Sequence, residues 1–177
     1  MAQNLDELFC YLDALRERAS LADLVAQLRD LAIDCDAVAS AIRFSNEGYT
    51  RNLIRTGTWY QVLALCWNNG QRSPIHDHRG SNCGVRVLRG TATETLFGFA
   101  PNGLVKALFS RDLMPGEVCG SQDMDMHQIS NLQPGDADLV TLHIYSPPLR
   151  NMGTYSLIDR TRGIEPMLLE FSDAAGI

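Results

Sequence analysis

A series of short β-rich runs, beginning after Phe44, is the feature that most constrains the fold of this chain. Turn-forming segments such as Pro101-Asn102-Gly103 and Pro134-Gly135-Asp136 separate the runs. Many short strands at close spacing are typical of an all-β barrel or sandwich. We therefore expect a mainly β fold. The predicted strands cover residues 49–55, 59–67, 84–99, 104–111, 126–131, 138–145, 153–159 and 166–171.

The residues before this series have helical character. Apolar residues at helical spacing predict an amphipathic helix over 4–17, and Ser20-Leu21-Ala22-Asp23 resembles a capping box that opens a second helix. A third, alanine-rich helical turn is predicted over about 36–43. A length of 177 residues is ordinary for one domain. We expect a single domain over 1–177, made of a helical N-terminal cap at 1–43, a β-barrel at 44–171 and a loose tail at 172–177.

The composition excludes several classes of function. The chain carries 15 basic and 21 acidic residues, and Lys106 is its only lysine, so it lacks the basic face that nucleic-acid binding needs. No apolar run approaches the roughly 20 residues of a membrane span, and the first residues lack the pattern of a signal peptide. The five cysteines show no Cys-x-x-Cys spacing, which favours free thiols in a reducing compartment. We expect a cytoplasmic monomer without nucleic-acid or membrane partners.

Four histidines occur in the chain, and two of them form the sequence His76-Asp77-His78. Side chains alternate between the two faces of a strand. A strand here would place His76 and His78 on one face, about 6–7 Å apart along the chain, and Asp77 on the other. Two imidazoles placed in this way can converge on one metal ion, and His127 offers a third ligand. The pattern predicts a three-histidine metal site.

The spacing around these histidines is similar to that of the cupin motifs. The first motif matches Gly70, five residues, His76-x-His78, four residues, Cys83, six residues and Gly90. The second matches the His-x3-Asn of His127-Gln128-Ile129-Ser130-Asn131. This resemblance implies a cupin β-barrel, a small jelly-roll, with a metal ion inside it.

Two departures from the cupin pattern bear on the site. Cys83 occupies the position at which the motif usually has Glu, and a longer insertion between Pro115-Gly116 and His127 leaves the geometry of residues 117–126 open. Three neutral imidazoles without a carboxylate leave a divalent metal its full charge. Such a site suits a substrate that brings its own anion, for example a thiolate, although the same donor set also suits zinc.

Four segments, in the same order along the chain, resemble cysteine dioxygenase. They are Gly48-Tyr49-Thr50-Arg51-Asn52, Ser73-Pro74-Ile75-His76-Asp77-His78, Ser81-x-Cys83 and Leu142-His143-Ile144-Tyr145-Ser146-Pro147-Pro148. The resemblance implies that Arg51 and Tyr49 bind the substrate, Arg51 through the substrate carboxylate. It also implies a cis peptide bond between Ser146 and Pro147. The metal would be Fe(II), held by His76, His78 and His127.

The resemblance further implies a group of catalytic side chains. Tyr145 would place its hydroxyl near the substrate and oxygen, His143 would hydrogen-bond to Tyr145, and Cys83 would lie beside Tyr145, where some family members form a thioether bond. Thr141 stands where the family usually has Ser. The residues themselves agree, because positions 141, 143 and 145 share one face of a strand. Such a row can act as a proton relay or an orienting chain, or it can be a satisfied polar ladder.

The implied activity is oxidation of L-cysteine by O2 to cysteine sulfinic acid at a mononuclear non-haem Fe(II). The presence of both Arg51 and Cys83 favours L-cysteine over 3-mercaptopropionate or another small thiol. A non-enzymatic metal-binding cupin, and a zinc- or manganese-dependent isomerase or hydrolase on the same barrel, stay open as alternatives. Oxygen consumption with a thiol separates a dioxygenase from the other classes.

Overall fold

Helices form the N-terminal part of the structure. The computed structural model describes residues 3–167, so the predicted tail (172–177) and most of the last predicted strand (166–171) lie outside it. Helix α1 spans Leu5–Asp13, α2 spans Leu21–Asp30, and a 3₁₀ helix spans Asp36–Ala41. No helix among the described residues has the length and apolar character needed to cross a bilayer.

Side-chain caps decide where the two α-helices begin and end. The Ser20 side chain accepts a hydrogen bond from the Asp23 N–H at the start of α2, which confirms the predicted start. At the start of α1, Asn4 and Glu7 exchange reciprocal side-chain to backbone bonds. Helix α1 is shorter than the predicted 4–17, since it ends at Asp13, and the Arg16 guanidinium donates to the carbonyls of residues 13, 14 and 15 at this end.

The described chain after the helices contains eleven antiparallel strands in two sheets, joined by turns and loops. The five-stranded sheet has the order β1-β2-β9-β4-β7, and the six-stranded sheet has the order β11-β10-β3-β8-β5-β6. This architecture confirms the prediction of a mainly β fold with N-terminal helices packed on it. The strands are β1 Thr50–Thr56, β2 Gln61–Trp67, β3 Ile75–His76, β4 Asn82–Arg89, β5 Ala92–Phe99, β6 Val105–Leu113, β7 Val118–Gln122, β8 Met126–Ser130, β9 Leu139–Ser146, β10 Asn151–Tyr155 and β11 Arg162–Pro166.

Several strand predictions need correction. The single run 84–99 is two strands, β4 and β5, because Gly90 turns the chain with a φ of 76°. The segment 117–126, left open by the sequence, contains β7, which pairs with β4. Strand β3 was not in the series of predicted strands, and it is shorter than the strand considered for His76-Asp77-His78, since it has only two residues and ends at His76. Strand β10 ends at Tyr155, earlier than the predicted 153–159. The predicted cis bond between Ser146 and Pro147 is confirmed.

Strand β9 is buried along its whole length, because both of its faces are covered. It lies between β2 and β4 in the middle of the five-stranded sheet. Leu142 and Ile144 point to the N-terminal helices, where they join a cluster that contains Leu24 and Leu28. The alternate residues of β9 therefore point into the space between the two sheets, which is where a site can form.

Two glycines allow helix α2 to lie close against this sheet. A Cβ atom at Gly84 would come within 2.7 Å of the Leu28 side chain, and one at Gly120 would come within 2.8 Å of both Leu21 and Val25. Helix α2 therefore fits only because β4 and β7 have no side chain at these two points. The close approach buries Leu28 completely.

We expect Leu28→Ala to lower the free energy of unfolding by about 2–5 kcal/mol, because it removes a fully buried side chain at this contact. Urea unfolding followed by circular dichroism measures the change. Ile158→Ala is the matched control, since that side chain is 90% exposed, and we expect a change within about 0.5 kcal/mol. A loss below about 1 kcal/mol in Leu28→Ala would contradict the view that α2 anchors the sheet.

Candidate metal centre

The three histidines predicted as ligands come together between the sheets. His76 on β3 lies directly opposite His127 on β8 in the antiparallel register. His78 follows two residues after His76, and its backbone N–H donates to the Asp123 carbonyl at 2.9 Å. One nitrogen from each ring lies within 4.8 Å of the others, and all three rings are buried. The described residues contain no other cluster of this kind.

His78 reaches the cluster in a different way from the one predicted. Strand β3 ends at His76, so His78 belongs to the following loop and not to the same strand. The alternation of faces still holds for Asp77, whose carboxylate accepts hydrogen bonds from the Gly153 N–H and the Tyr155 hydroxyl on the opposite side. Asp77 therefore anchors the loop to β10 while the two flanking imidazoles face the barrel interior.

Each ring uses its Nδ1 atom for a hydrogen bond behind the cluster. This leaves the Nε2 atoms for the centre, and the buried Nε2 of His78 has no hydrogen-bond partner in the structure. Three clustered imidazoles, one of them with a buried Nε2 that lacks a partner, fit a divalent transition metal. The Nδ1 partners are the Pro74 carbonyl for His76 at 3.0 Å, the Ser121 hydroxyl for His78 at 3.0 Å and the Glu94 carboxylate for His127 at 3.2 Å.

Burial keeps two of the ligand rings, those of His76 and His78, in the form that binds metals. Burial, with a contribution from His127, lowers the pKa of His76 to about 3 and holds the pKa of His78 well below its ordinary value. Neutral imidazoles are metal ligands, whereas protonated ones are not. His76 and His78 are therefore ready to bind a metal ion at neutral pH without first losing protons.

A small cavity lies beside the histidines, between the two sheets. Arg51 on β1 lines it and is only 8% exposed. Its Nε and Nη2 atoms are buried without a hydrogen-bond partner, and its guanidinium lies 5.5 Å from the centre of the Tyr145 ring. Unpaired buried donors on a cation are costly, so an anion is the natural ligand for this position.

Tyr49 lies beside Arg51 at the wall of the same cavity. Its ring stacks on Trp67 with 4.2 Å between centroids and 13° between planes. Burial raises the pKa of the Tyr49 phenol, with the nearby Arg51 acting in the opposite direction, so the phenol is neutral at physiological pH. The stacked pair fixes one wall of the cavity and keeps the Tyr49 hydroxyl close to the guanidinium.

The predicted polar row on β9 is a continuous hydrogen-bonded chain. The Trp67 indole N–H donates to the Thr141 hydroxyl at 3.1 Å, and this hydroxyl lies 2.9 Å from Nε2 of His143. An indole can only donate, so the hydroxyl is free to give its own proton to His143. The Nδ1–H of His143 can then donate to the Tyr145 hydroxyl at 3.2 Å. Burial lowers the pKa of His143, which agrees with a neutral ring.

Cys83 lies directly opposite Tyr145 in the pairing of β4 and β9. Its sulfur is completely buried and lies 4.0 Å from Nδ1 of His143. Burial raises the pKa of this thiol to about 12, with a smaller lowering by a hydrogen bond to Tyr145. Cys83 is therefore a protonated thiol next to the phenol, outside the set of three imidazoles.

Three residues around the site were missed or assigned only to the core. Trp67 was assigned to the core but also begins the hydrogen-bonded chain on β9. Ser121 lies in the segment whose geometry the sequence left open. The sequence contains one indication for Glu94. This acid lies two residues after Ala92 on the same strand, so the two side chains share a face, and Ala92 is fully buried.

Residues 5–157 match the family described as cysteine dioxygenase type I. The chain belongs to this family. The match covers both α-helices, the three clustered histidines and the polar row on β9. Together, the family and the three-histidine cluster indicate a bound metal ion.

Curated relatives carry the same description. The chain is 30% identical over 141 residues to cysteine dioxygenase type 1 of Bos taurus, covering 76% of this chain and 68% of the relative. It is 34% identical over 112 residues to the Homo sapiens protein of that name, covering 60% of this chain and 54% of the relative. For the Danio rerio protein the identity is 31%, with 64% and 58% covered. The chain thus matches little more than half the length of the human and fish proteins.

Solved structures support the fold. A double-stranded β-helix protein from Klebsiella pneumoniae superimposes with a TM-score of 0.54 at 19% identity, covering 67% of this chain and 88% of that chain. TT1209 from Thermus thermophilus has a TM-score of 0.53 at 15% identity, covering 62% and 93%. At these identities the likeness concerns the fold alone, and it confirms the predicted cupin barrel.

We expect His78→Ala to lose most of its bound metal, because only two imidazoles would remain. His143→Ala is the matched control, since His143 is an equally buried imidazole that bonds to Thr141 and Tyr145 and lies outside the cluster. Metal analysis of both purified variants, with circular dichroism to verify folding, measures the difference. Full metal occupancy in a folded His78→Ala protein would contradict the assignment of His78 as a ligand.

Proposed function

We propose that this protein is a thiol dioxygenase that converts L-cysteine and O2 into cysteine sulfinic acid, with Fe(II) held by His76, His78 and His127. The observation that carries the proposal is the buried guanidinium of Arg51, whose Nε and Nη2 atoms have no hydrogen-bond partner, in the same cavity as the histidines. A cation positioned there, next to a metal site, fits a small substrate that combines a carboxylate with a metal-binding group.

Bound by three neutral imidazoles, a ferrous ion would keep its full charge and supply positions at which a thiolate and dioxygen react. Both oxygen atoms pass to sulfur, so the thiol itself supplies all the electrons and no external reductant is consumed. Ferrous iron is the finer part of the proposal, since the same donor set also fits other divalent metals.

Arg51 binds the carboxylate of the substrate in this proposal, and Tyr49 supports it. The unpaired Nε and Nη2 atoms form one edge of the guanidinium and can bind both carboxylate oxygens at once. The Tyr49 hydroxyl lies beside the guanidinium and can donate to the same carboxylate. No carboxylate lines this cavity among the described residues, so the amino group of cysteine has no acidic partner there and is free to bind the metal.

Tyr145 is the proposed proton donor to the reacting groups, and Thr141 and His143 orient it. With the Nδ1–H of His143 directed at the Tyr145 oxygen, the phenol proton is directed away from His143 and towards the cavity. Burial raises the pKa of Tyr145 well above its ordinary value, so the phenol keeps this proton until the substrate or oxygen accepts it.

Cys83 is proposed to restrain Tyr145. The two residues pair across β4 and β9, and both are buried. A thioether bond between them would lock the phenol in one position, with the loss of two hydrogen atoms to an oxidant such as O2. The extent of this bond, the monomeric state and the cytoplasmic location remain predictions.

Iron-loaded protein should consume O2 with L-cysteine and release an equivalent of sulfinate. Arg51→Ala should lower kcat/KM for L-cysteine on the order of 100-fold, because truncating one partner of a buried charge pair costs about 2–5 kcal/mol. The same variant should turn over cysteamine, which has no carboxylate, within a few-fold of the wild-type rate. Oxygen-electrode kinetics with sulfinate quantification measures both effects.

Arg55→Ala is the control for this experiment, because Arg55 lies on the same strand but forms an exposed ion pair with Asp13. Its kinetics should equal those of the wild type. Turnover of 3-mercaptopropionate, with L-cysteine inactive, would assign the protein to another thiol. Absence of oxygen uptake with every thiol would favour a non-enzymatic metal-binding cupin.

Cys83→Ala should fold, keep its metal and retain part of the activity, because Cys83 lies outside the three-imidazole cluster. Mass spectrometry of the wild-type protein should show a fraction lighter by two hydrogen atoms, linked through Cys83 and Tyr145, and the variant should lack it. Loss of the metal from a folded Cys83→Ala protein would contradict this assignment.

A further inference from the structure

One of the three ligand rings differs from the others in what lies behind it. His76 and His78 donate to uncharged oxygens, a carbonyl and a hydroxyl. His127 instead lies 3.2 Å from the carboxylate of Glu94. The carboxylate that the first cupin motif usually carries, at the position of Cys83, is missing from the cluster. A carboxylate is nevertheless present one hydrogen bond further out, on the neighbouring strand.

Glu94 is held rigidly on both sides. It is 1% exposed, and its Oε2 atom accepts hydrogen bonds from Nε and Nη2 of Arg111 at 2.8 and 2.6 Å. Glu94 and Arg111 are direct partners in the pairing of β5 and β6, and β5 also pairs with β8, which carries His127. The ligand, the acid and the base thus lie on three adjacent strands of one sheet, so their positions are set by strand register.

The two oxygens of this carboxylate change the electron density on His127 in opposite directions. The Oε1 atom accepts from the ring of His127, which increases the basicity of the ring and its donation to a metal. The Oε2 atom is bound by a guanidinium whose side chain is 42% exposed, which draws negative charge away from the ring. The negative charge that acts on the His127 ring therefore depends on both residues, the buried Glu94 and the partly exposed Arg111.

We propose that Glu94 and Arg111 are positioning residues that set the electron donation of His127, and through it the metal affinity and the Fe(III)/Fe(II) potential of the site. Greater donation stabilises the more highly charged ferric ion relative to the ferrous ion, so Glu94 lowers the potential and Arg111 limits that lowering. The part of this inference that concerns iron rests on the proposed function. The part that concerns affinity needs only the metal site.

Glu94→Gln removes the charge and keeps the shape, whereas Arg111→Gln leaves the carboxylate without its guanidinium. We expect Glu94→Gln to weaken Co(II) and Zn(II) binding about 10–100-fold and to raise the midpoint potential of the iron-loaded protein. We expect Arg111→Gln to shift the potential in the opposite direction, without weakening Co(II) binding. Each tenfold change in the preference for ferric over ferrous ion corresponds to about 59 mV. Chelator competition and redox titration measure these effects.

Thr95→Ala is the matched control, because Thr95 is the next residue on the same strand and bonds only to Ser110 across the pair of strands β5 and β6. Its affinity and potential should equal those of the wild type. Shifts of the same sign in Glu94→Gln and Arg111→Gln would overturn the proposal, because a purely structural role predicts that both variants loosen the site alike. An unchanged Kd and potential in Glu94→Gln would overturn it as well.

The design separates this inference from the proposed function. If the wild-type protein binds no Co(II) or Zn(II), the metal site itself fails, and both proposals fall. If the metals bind but no thiol is oxidised, the affinity series still decides the role of Glu94. Arg111 is partly exposed, so we expect Arg111→Gln to fold even if Glu94→Gln does not. The direction of the shift in its midpoint potential then tests the proposal.

Discussion

The pairing of His76 with His127 across β3 and β8 is the contact on which the site depends. Strand β3 has only two residues, and His76 is the one that pairs with β8. An antiparallel pair brings opposite side chains within about 4.5–5.5 Å at their Cβ atoms, and the ring centroids of His76 and His127 lie 4.7 Å apart. His78 completes the set because the Asp123 carbonyl holds its backbone and Asp77 anchors the opposite side of the same loop. Strand pairing and the hydrogen bonds of this loop therefore set the positions of the three ligands.

Strand β9 connects this site to the helices on the outside. Its outward residues Leu142 and Ile144 pack under α1 and α2, and its inward residues form the row from Thr141 to Tyr145. A shift of one residue in the register of β9 would exchange these two faces and bury the polar row against the helices. The apolar contact with the cap therefore maintains the orientation of the polar row, although none of the cap residues that the structure describes lines the cavity.

Sequence reasoning recovered the parts of the site that local patterns encode. The His-x-His spacing, the third histidine and the alternation of Thr141, His143 and Tyr145 depend on residues close together in the chain or on a recognisable motif. Residues that act through distant pairing were not recoverable in the same way. Ser121 and Glu94 contact the ligands only because β7 pairs with β4 and β5 pairs with β8, and no local pattern specifies either register. The short β3 was absent from the series of predicted strands for a related reason, since its two residues follow from tertiary pairing and not from propensity.

The distribution of charge around the cavity explains why the Glu94 carboxylate can act on His127 without repelling the proposed substrate. Arg51 and a divalent metal make the cavity cationic, and no acidic side chain lines it among the described residues. A substrate with a thiolate and a carboxylate would neutralise much of this charge. Glu94 and Arg111 together carry no net charge, so the pair redistributes electron density towards His127 while it leaves the long-range field almost unchanged. In the proposed function, this cavity can bind an anionic substrate while Glu94 supports the electron donation of His127 to the metal.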